Sequence, residues 1–161
     1  MRPKLRTYAS QLQFDWDSEA AKLTKPEEYA KAAEKALKEG YDAVKVNPFF
    51  YDKDGNVLYD LTKLFPHDLL DLAKKRMQSI RSTVGDKVDI FLECHSLLGA
   101  TSAIQIGHEI AEEFKCTFME EPVNYLNSAL HDKLVSKLNV LVVHLRMTLE
   151  FMHVSHAPME Q

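Results

Sequence analysis

Regular alternation between strand-like and helix-period segments constrains this chain more than any other feature. Thr24-Lys25-Pro26-Glu27 reads as a capping box that opens a helix: a threonine cap, an early proline and a glutamate three residues on. Tyr29, Ala32, Ala33, Ala36 and Leu37 then recur at helical spacing until Gly40 ends the run. Ala43-Val44-Lys45-Val46 follows as a short buried strand closed by Asn47-Pro48, with a polar loop around Asp52, Asp54, Gly55 and Asn56. The same order repeats. Pro66 opens a helix with Leu69, Leu70, Ala73, Met77, Ile80 and Val84 on one face, Gly85 ends it, and Val88 to Leu92 is a strand. A third helix from about Ser102 to Phe114 leads into the strand Cys116 to Met119. Leu126, Leu130, Leu134 and Leu138 form the seam of a fourth helix, and Val140 to Leu145 is a fifth strand candidate. With Leu5 to Ala9 as the first strand, this order requires a parallel sheet, either an open doubly wound sheet or an arc of a TIM barrel.

Composition narrows the function class. Hydrophobic residues make up 45% of the 161 and charged ones 27%, as in an ordinary globular domain. The net charge is -4, and the only basic cluster is Lys74-Lys75-Arg76, which leaves no electrostatic footprint for nucleic acid. A small molecule is the expected partner. No apolar run is long enough to cross a bilayer, and the basic start, Met1 to Arg6, is followed by polar residues rather than by a signal-peptide core. Cys94 and Cys116 each lie in an apolar strand-like run, which points to buried free thiols and a reducing cytoplasm.

In either parallel architecture, sites are built at the carboxyl ends of the strands. Asn47, then Glu93 and His95, then Glu120 and Glu121 stand there on successive strands. Glu93 and Glu120 are one strand-helix unit apart, so their backbones should be neighbours, and two carboxylates so placed suit Mg²⁺, which prefers oxygen ligands and retains water. Alternation along a strand turns Cys94 away from Glu93 and brings His95 back to its side, as a candidate general acid or base. Glu121 reads as a surface or structural group. Lys45 in an apolar strand needs a carboxylate partner, and the metal site is the expected one. Tyr8, Gln11, Gln13, Phe14 and Trp16 either line a sugar pocket or serve as core and loop, while His144, His153 and His156 read as scattered surface histidines ahead of a metal cluster.

The segments Tyr41 to Pro48, Asp89 to His95 and Phe118 to Val123 resemble the second, third and fourth barrel strands of the mandelate racemase and muconate lactonizing enzyme branch of the enolase superfamily, nearest to galactonate and mannonate dehydratase-like members. The resemblance implies α/β architecture of a partial (β/α) TIM-type barrel, about four βα units and a fifth strand on a parallel sheet. It implies a Mg²⁺-dependent acid-sugar dehydratase: strand-end carboxylates hold the metal, a proton next to the substrate carboxylate is removed, the enediolate is stabilised and a β-hydroxyl departs. Carried over by position, Glu93 stands at the first metal ligand, usually Asp, and Glu120 at the second. His95 matches the histidine that protonates the leaving hydroxyl, and Lys45 matches the first lysine of the racemases' Lys-x-Lys pair, whose second position is Asn47 here.

Departures from the pattern accompany the likeness. The capping domain and later strands of the family have no counterpart in residues 1–140, taken as the partial barrel domain, and residues 141–161 form an atypical C-terminal segment. Where the family has a strand ending in Gly-Glu, the third metal ligand, this chain reads Val142-Val143-His144-Leu145-Arg146, with Glu150 the next carboxylate. The expectations are therefore weak or absent activity of the isolated chain, and self-association through exposed sheet edges. The rival expectation is a non-catalytic truncated barrel module acting in binding or assembly. A flavodoxin-like sheet with an acidic site is disfavoured, because the carboxylates follow the third and fourth strands rather than clustering after the first.

Overall fold

A computed structural model describes residues 5–14, 22–124 and 126–144. Within it lie α1 (Pro26–Lys38), β1 (Ala43–Val46), α2 (His67–Val84), β2 (Asp89–Glu93), α3 (Ala100–Ile106), β3 (Phe118–Glu120), α4 (Ser128–Val135) and β4 (Leu141–Val143). The strands form one sheet in the order β1-β2-β3-β4, every pair parallel. This is the alternating α/β architecture expected from the periodicity. Trp16, Arg146, Glu150, His153 and His156 lie outside the described residues.

Parallel strands carry helices on at least one face, and the alternation of side chains decides which residues meet them. Val44, Val46, Ile90, Leu92, Cys94, Met119 and Val142 join the main core with Ala33, Ala36, Leu70, Ala73, Met77, Ile80, Ile106, Ile110 and Leu134 from the helices. The opposite face forms two rows set by the register. Lys45 pairs with Phe91, Phe91 with Phe118 and Phe118 with Leu141; two residues further on, Glu93 pairs with Glu120 and Glu120 with Val143. The Phe91 and Phe118 rings stack at 4.2 Å and 12°, and Tyr8 meets Phe91 edge-on at 5.2 Å. An apolar floor thus underlies a polar rim.

Element ends differ from the sequence expectations for identifiable reasons. The N-cap of α1 is Lys25 rather than Thr24, and Glu28 rather than Glu27 closes the box, accepting from the main-chain N–H groups of Thr24 and Lys25 at 2.8 and 2.9 Å. Leu5 to Ala9 does not form a full strand. Only Ala9 bridges Val44, its N–H donating to Ala43 and its carbonyl accepting from Lys45, while Leu5 is exposed. The third helix widens after Ile106 into a π-helical turn, Gly107–Glu112. A Cβ on Gly107 would stand 2.4 Å from Leu138 Cδ2, so the missing side chain makes room for that leucine. The fourth helix is shorter than its leucine seam: Asn127 caps it by accepting from the Leu130 N–H, leaving Leu126 exposed before the helix and Leu138 buried after it.

Arg76, the last residue of the basic cluster, is fully buried in the middle of α2. Its guanidinium donates to the carbonyls of Thr24, Pro48, Tyr51 and Asp52 at 2.6–3.2 Å and lies 5.2 Å from the centre of the Tyr29 ring. These bonds anchor the loop after β1, which carries the first polar residues of the rim.

Candidate active site

The rim at the carboxyl ends of β1, β2 and β3 is built around a buried lysine. All four residues of β1 are buried, and alternation sends Val44 and Val46 to the helices and Lys45 to the other face. Lys45 Nζ lies 2.8 Å from Glu93 Oε2 and 2.9 Å from Glu120 Oε2, with all three side chains at most 9% exposed. The Tyr8 ring centre stands 5.3 Å from the ammonium. Although burial opposes its charge, the two carboxylates hold the Lys45 pKa well above the ordinary lysine value. Cys94 points the other way, into the core, where burial raises its thiol pKa; both it and Cys116 are free.

Beyond Glu93 the chain leaves the strand abruptly. His95, Ser96 and Glu121 have φ of 52°, 58° and 45°, left-handed values that non-glycine residues adopt at a cost. Main-chain bonds hold this turn in place: Cys94 N–H donates to Glu120 O, Ser96 N–H to Glu121 O and Leu98 N–H to Pro122 O. The His95 ring then lies between two amides. Nδ1 is 3.1 Å from Asn47 Nδ2, and Nε2 is 3.4 Å from Gln11 Nε2.

A chain of amides fixes which groups face the ring. The Phe49 N–H donates to Asn47 Oδ1, so the Asn47 amide presents its NH₂ to His95 Nδ1. The Asn47 N–H donates to Gln13 Oε1, and the Gln13 NH₂ donates to Gln11 Oε1. Gln11 thereby presents its own NH₂ to Nε2, so both ring nitrogens face amide donors and the neutral ring accepts at one of them. Gln13 is fully buried, a positioning group rather than a pocket wall. Its only signal in the sequence is its place after the first strand.

The structure thus brings Lys45, Glu93, Glu120 and His95 to one strand-end rim, together with Gln11, Gln13 and Asn47. The oxygen donors of Glu93 and Glu120 converge on one point that already accommodates a positive charge, so the pair suits a hard divalent cation in kind. It does so as two carboxylates. Among the described residues no group of three His, Cys, Asp or Glu side chains could hold a metal ion, and Val143 is the residue paired with Glu120 on the next strand. Glu121 turns aside toward the Ser96 hydroxyl, 3.5 Å away.

A family model described as enolase C-terminal domain-like matches residues 28–148. The chain belongs to that family. The enolase-type chain is 29% identical over 123 residues to the D-gluconate/D-galactonate dehydratase of Picrophilus torridus, covering 75% of this chain and 27% of that protein. It is 32% identical over 100 residues to the D-gluconate dehydratase of Thermoproteus tenax, covering 62% of this chain and 18% of the relative. Among solved structures, a member of the enolase superfamily from Salmonella Typhimurium superposes with a TM-score of 0.80 at 43% identity, over 86% of this chain and 36% of that one. The chain thus spans about a quarter or less of the curated relatives and about a third of that solved structure. Its parallel sheet is part of an enolase-type barrel, and its relatives are acid-sugar dehydratases. No helix among the described residues is long and apolar enough to cross a membrane.

His144, which follows β4, faces His131 of α4 with ring centres 4.5 Å apart, and neither ring nitrogen of His144 has a hydrogen-bond partner. Burial, then the neighbouring His131, lowers the His144 pKa below its ordinary value of 6.5, against a smaller opposing effect of Glu121. A base with a depressed folded pKa adds stability that is complete above its unfolded value and is lost as the pH falls through the folded one. Urea denaturation from pH 7 downward is therefore expected to show a loss of stability beginning near 6.5, and His144→Leu should flatten that slope. An unchanged slope in the variant would assign the acid sensitivity elsewhere.

Proposed function

We infer that this chain forms the acid-recognition rim of a Mg²⁺-dependent sugar-acid dehydratase, with Glu93 and Glu120 as metal ligands, His95 as the proton donor to the leaving hydroxyl and Lys45 as the cation beside them. One observation carries this reading: two buried carboxylates from register-paired residues of adjacent strands converge on one cation position, with a histidine two residues beyond the first. The sugar-acid dehydratases among the relatives make aldonates the substrate class to test, D-gluconate and D-galactonate first.

In this reading the bound metal would supply Lewis-acid stabilisation of an enediolate. The chain's own groups supply cation binding, substrate attraction and the proton for the leaving hydroxyl. Glu93 and Glu120 fix the cation's position from two neighbouring strands, and the Phe91–Phe118 stack closes the floor beneath the polar rim. Asn47 and Gln11 orient the His95 ring, and proton transfer to a departing hydroxyl takes place at its edge. Lys45 adds positive charge that favours a carboxylate substrate.

Calorimetric titration with Mg²⁺ and then with an aldonate tests the proposal. Heat of binding from both, abolished by Glu120→Gln, is the expected result, with little or no turnover by the chain alone. Silence toward every aldonate in the presence of the metal would favour the second reading, a non-catalytic binding or assembly module. That reading draws on Val143 standing opposite Glu120 and on the two-carboxylate donor set among the described residues.

A further inference from the structure

Lys45 presents a contradiction if its neighbours are metal ligands. Its ammonium nitrogen occupies the point where Glu93 Oε2 and Glu120 Oε2 meet, 2.8 and 2.9 Å from them. A hard divalent cation bound by the same oxygens would lie about 2.1 Å from each. An ammonium and a dication cannot share that position, because both need the same lone pairs and they repel strongly at such separations. We propose that Lys45 is an internal competitor for the divalent cation: it holds Glu93 and Glu120 together in the metal-free protein, and metal entry displaces it from both oxygens. The exchange rests on the proposed function, in which a cation binds between the two carboxylates.

A displaced ammonium has a defined way out. Lysine is a point charge on a flexible four-carbon stem, able to change partners without moving its strand. Tyr8, 41% exposed, has its ring centre 5.3 Å from Nζ, so the route toward solvent passes that aromatic face. Charge then reverses at the rim. With the metal absent, two carboxylates and one ammonium carry one net negative charge, which repels an aldonate. With a dication added the same groups carry one net positive charge, and Lys45 is released to face the substrate. The exchange therefore imposes an order, metal first and sugar acid second.

Mg²⁺ titrations of the wild-type chain and of Lys45→Met test the exchange, with thermal unfolding as a second readout. The expected result is that the variant binds Mg²⁺ at least about tenfold more tightly than wild type and gains more thermal stability from it. Because the variant lacks the ammonium and folds less readily without metal, acylation of lysines in the wild-type protein, followed by mass spectrometry, provides an independent measurement. Lys45 should acylate slowly in the metal-free chain and severalfold faster once Mg²⁺ is bound. Equal Mg²⁺ affinity in the two proteins, or Lys45 acylation that ignores bound Mg²⁺, would overturn the exchange while leaving the metal site standing. No Mg²⁺ binding in either protein would overturn both proposals. Mg²⁺ binding with Lys45 release but no response to any aldonate would sink only the dehydratase reading.

Discussion

Replacing Arg76 by methionine is expected to lower the unfolding free energy by about 4 kcal/mol, measured by urea denaturation. Methionine fills a similar volume, so the loss does not come from a cavity. It comes from the carbonyls of Thr24, Pro48, Tyr51 and Asp52, which all lose the guanidinium that they accept from. A buried acceptor stripped of its partner costs about 1–3 kcal/mol, and relaxation of the loop toward water recovers part of that sum. Desolvation lowers the Arg76 pKa, and among the described residues no carboxylate forms an ion pair with its guanidinium; backbone carbonyls, the Tyr29 ring and the more distant Asp52 and Glu28 favour the charge. Arg76→Lys should recover little, since one ammonium cannot span four carbonyls. A loss below about 1 kcal/mol in the methionine variant would show that the loop holds itself.

Lys45→Met is expected to cost about 3 kcal/mol in metal-free buffer at neutral pH, because it leaves two buried carboxylates side by side without a counter-ion. The sign of the pH dependence separates this from lost packing. Lys45 has a folded pKa raised above its ordinary value of 10.5, so its contribution is complete below that value and falls as the pH rises through the folded one. In the variant, acid protonates one carboxyl and relieves the repulsion, so the gap to wild type should narrow as the pH falls. A double variant with Glu120→Gln should be more stable than Lys45→Met alone, since removing one charge removes the conflict. Denaturation curves of the single and double variants check this; a gap independent of pH and of Glu120 would mean that the lysine stem, not its charge, matters.

The fold is legible wherever periodicity is clean. Ala43 to Val46 and Asp89 to Leu92 are apolar runs bounded by a turn on either side, and the parallel order follows from the helices between them. Boundaries are less legible because the competing signals are chemically close. Glu27 and Glu28 both stand near the start of α1, and only the position of Pro26 at its first residue decides which one reaches back. Leu126 continues the leucine spacing, but Asn127 offers a side-chain cap one residue later, and the cap wins. At the rim, the spacing of Glu93 and Glu120 is enough to place them side by side, since one strand-helix unit maps onto one step across the sheet. The partner of Lys45 is foreseeable as a carboxylate because an unpaired ammonium is costly to bury. Arg76 reads in the sequence only as the end of a basic cluster, and its burial is missed because a single polar residue between Ala73 and Ile80 is easily read as an edge position; its three-residue spacing from Ala73 is the available clue. The amide chain through Gln13 depends on a close approach between the segment after Ala9 and the loop after β1, which no local pattern encodes.

That close approach joins distant parts of the chain into one lever. The main-chain N–H of Phe49 orients Asn47, and Asn47 turns its NH₂ to His95 Nδ1. The same short loop hangs by its Pro48 and Tyr51 carbonyls from Arg76, on the far side of the sheet from the rim. A helix residue on the other side of the sheet thereby helps set which atoms the rim presents to the imidazole. Drift at α2 would reach the imidazole through the loop after β1, as a change in the amide that faces Nδ1.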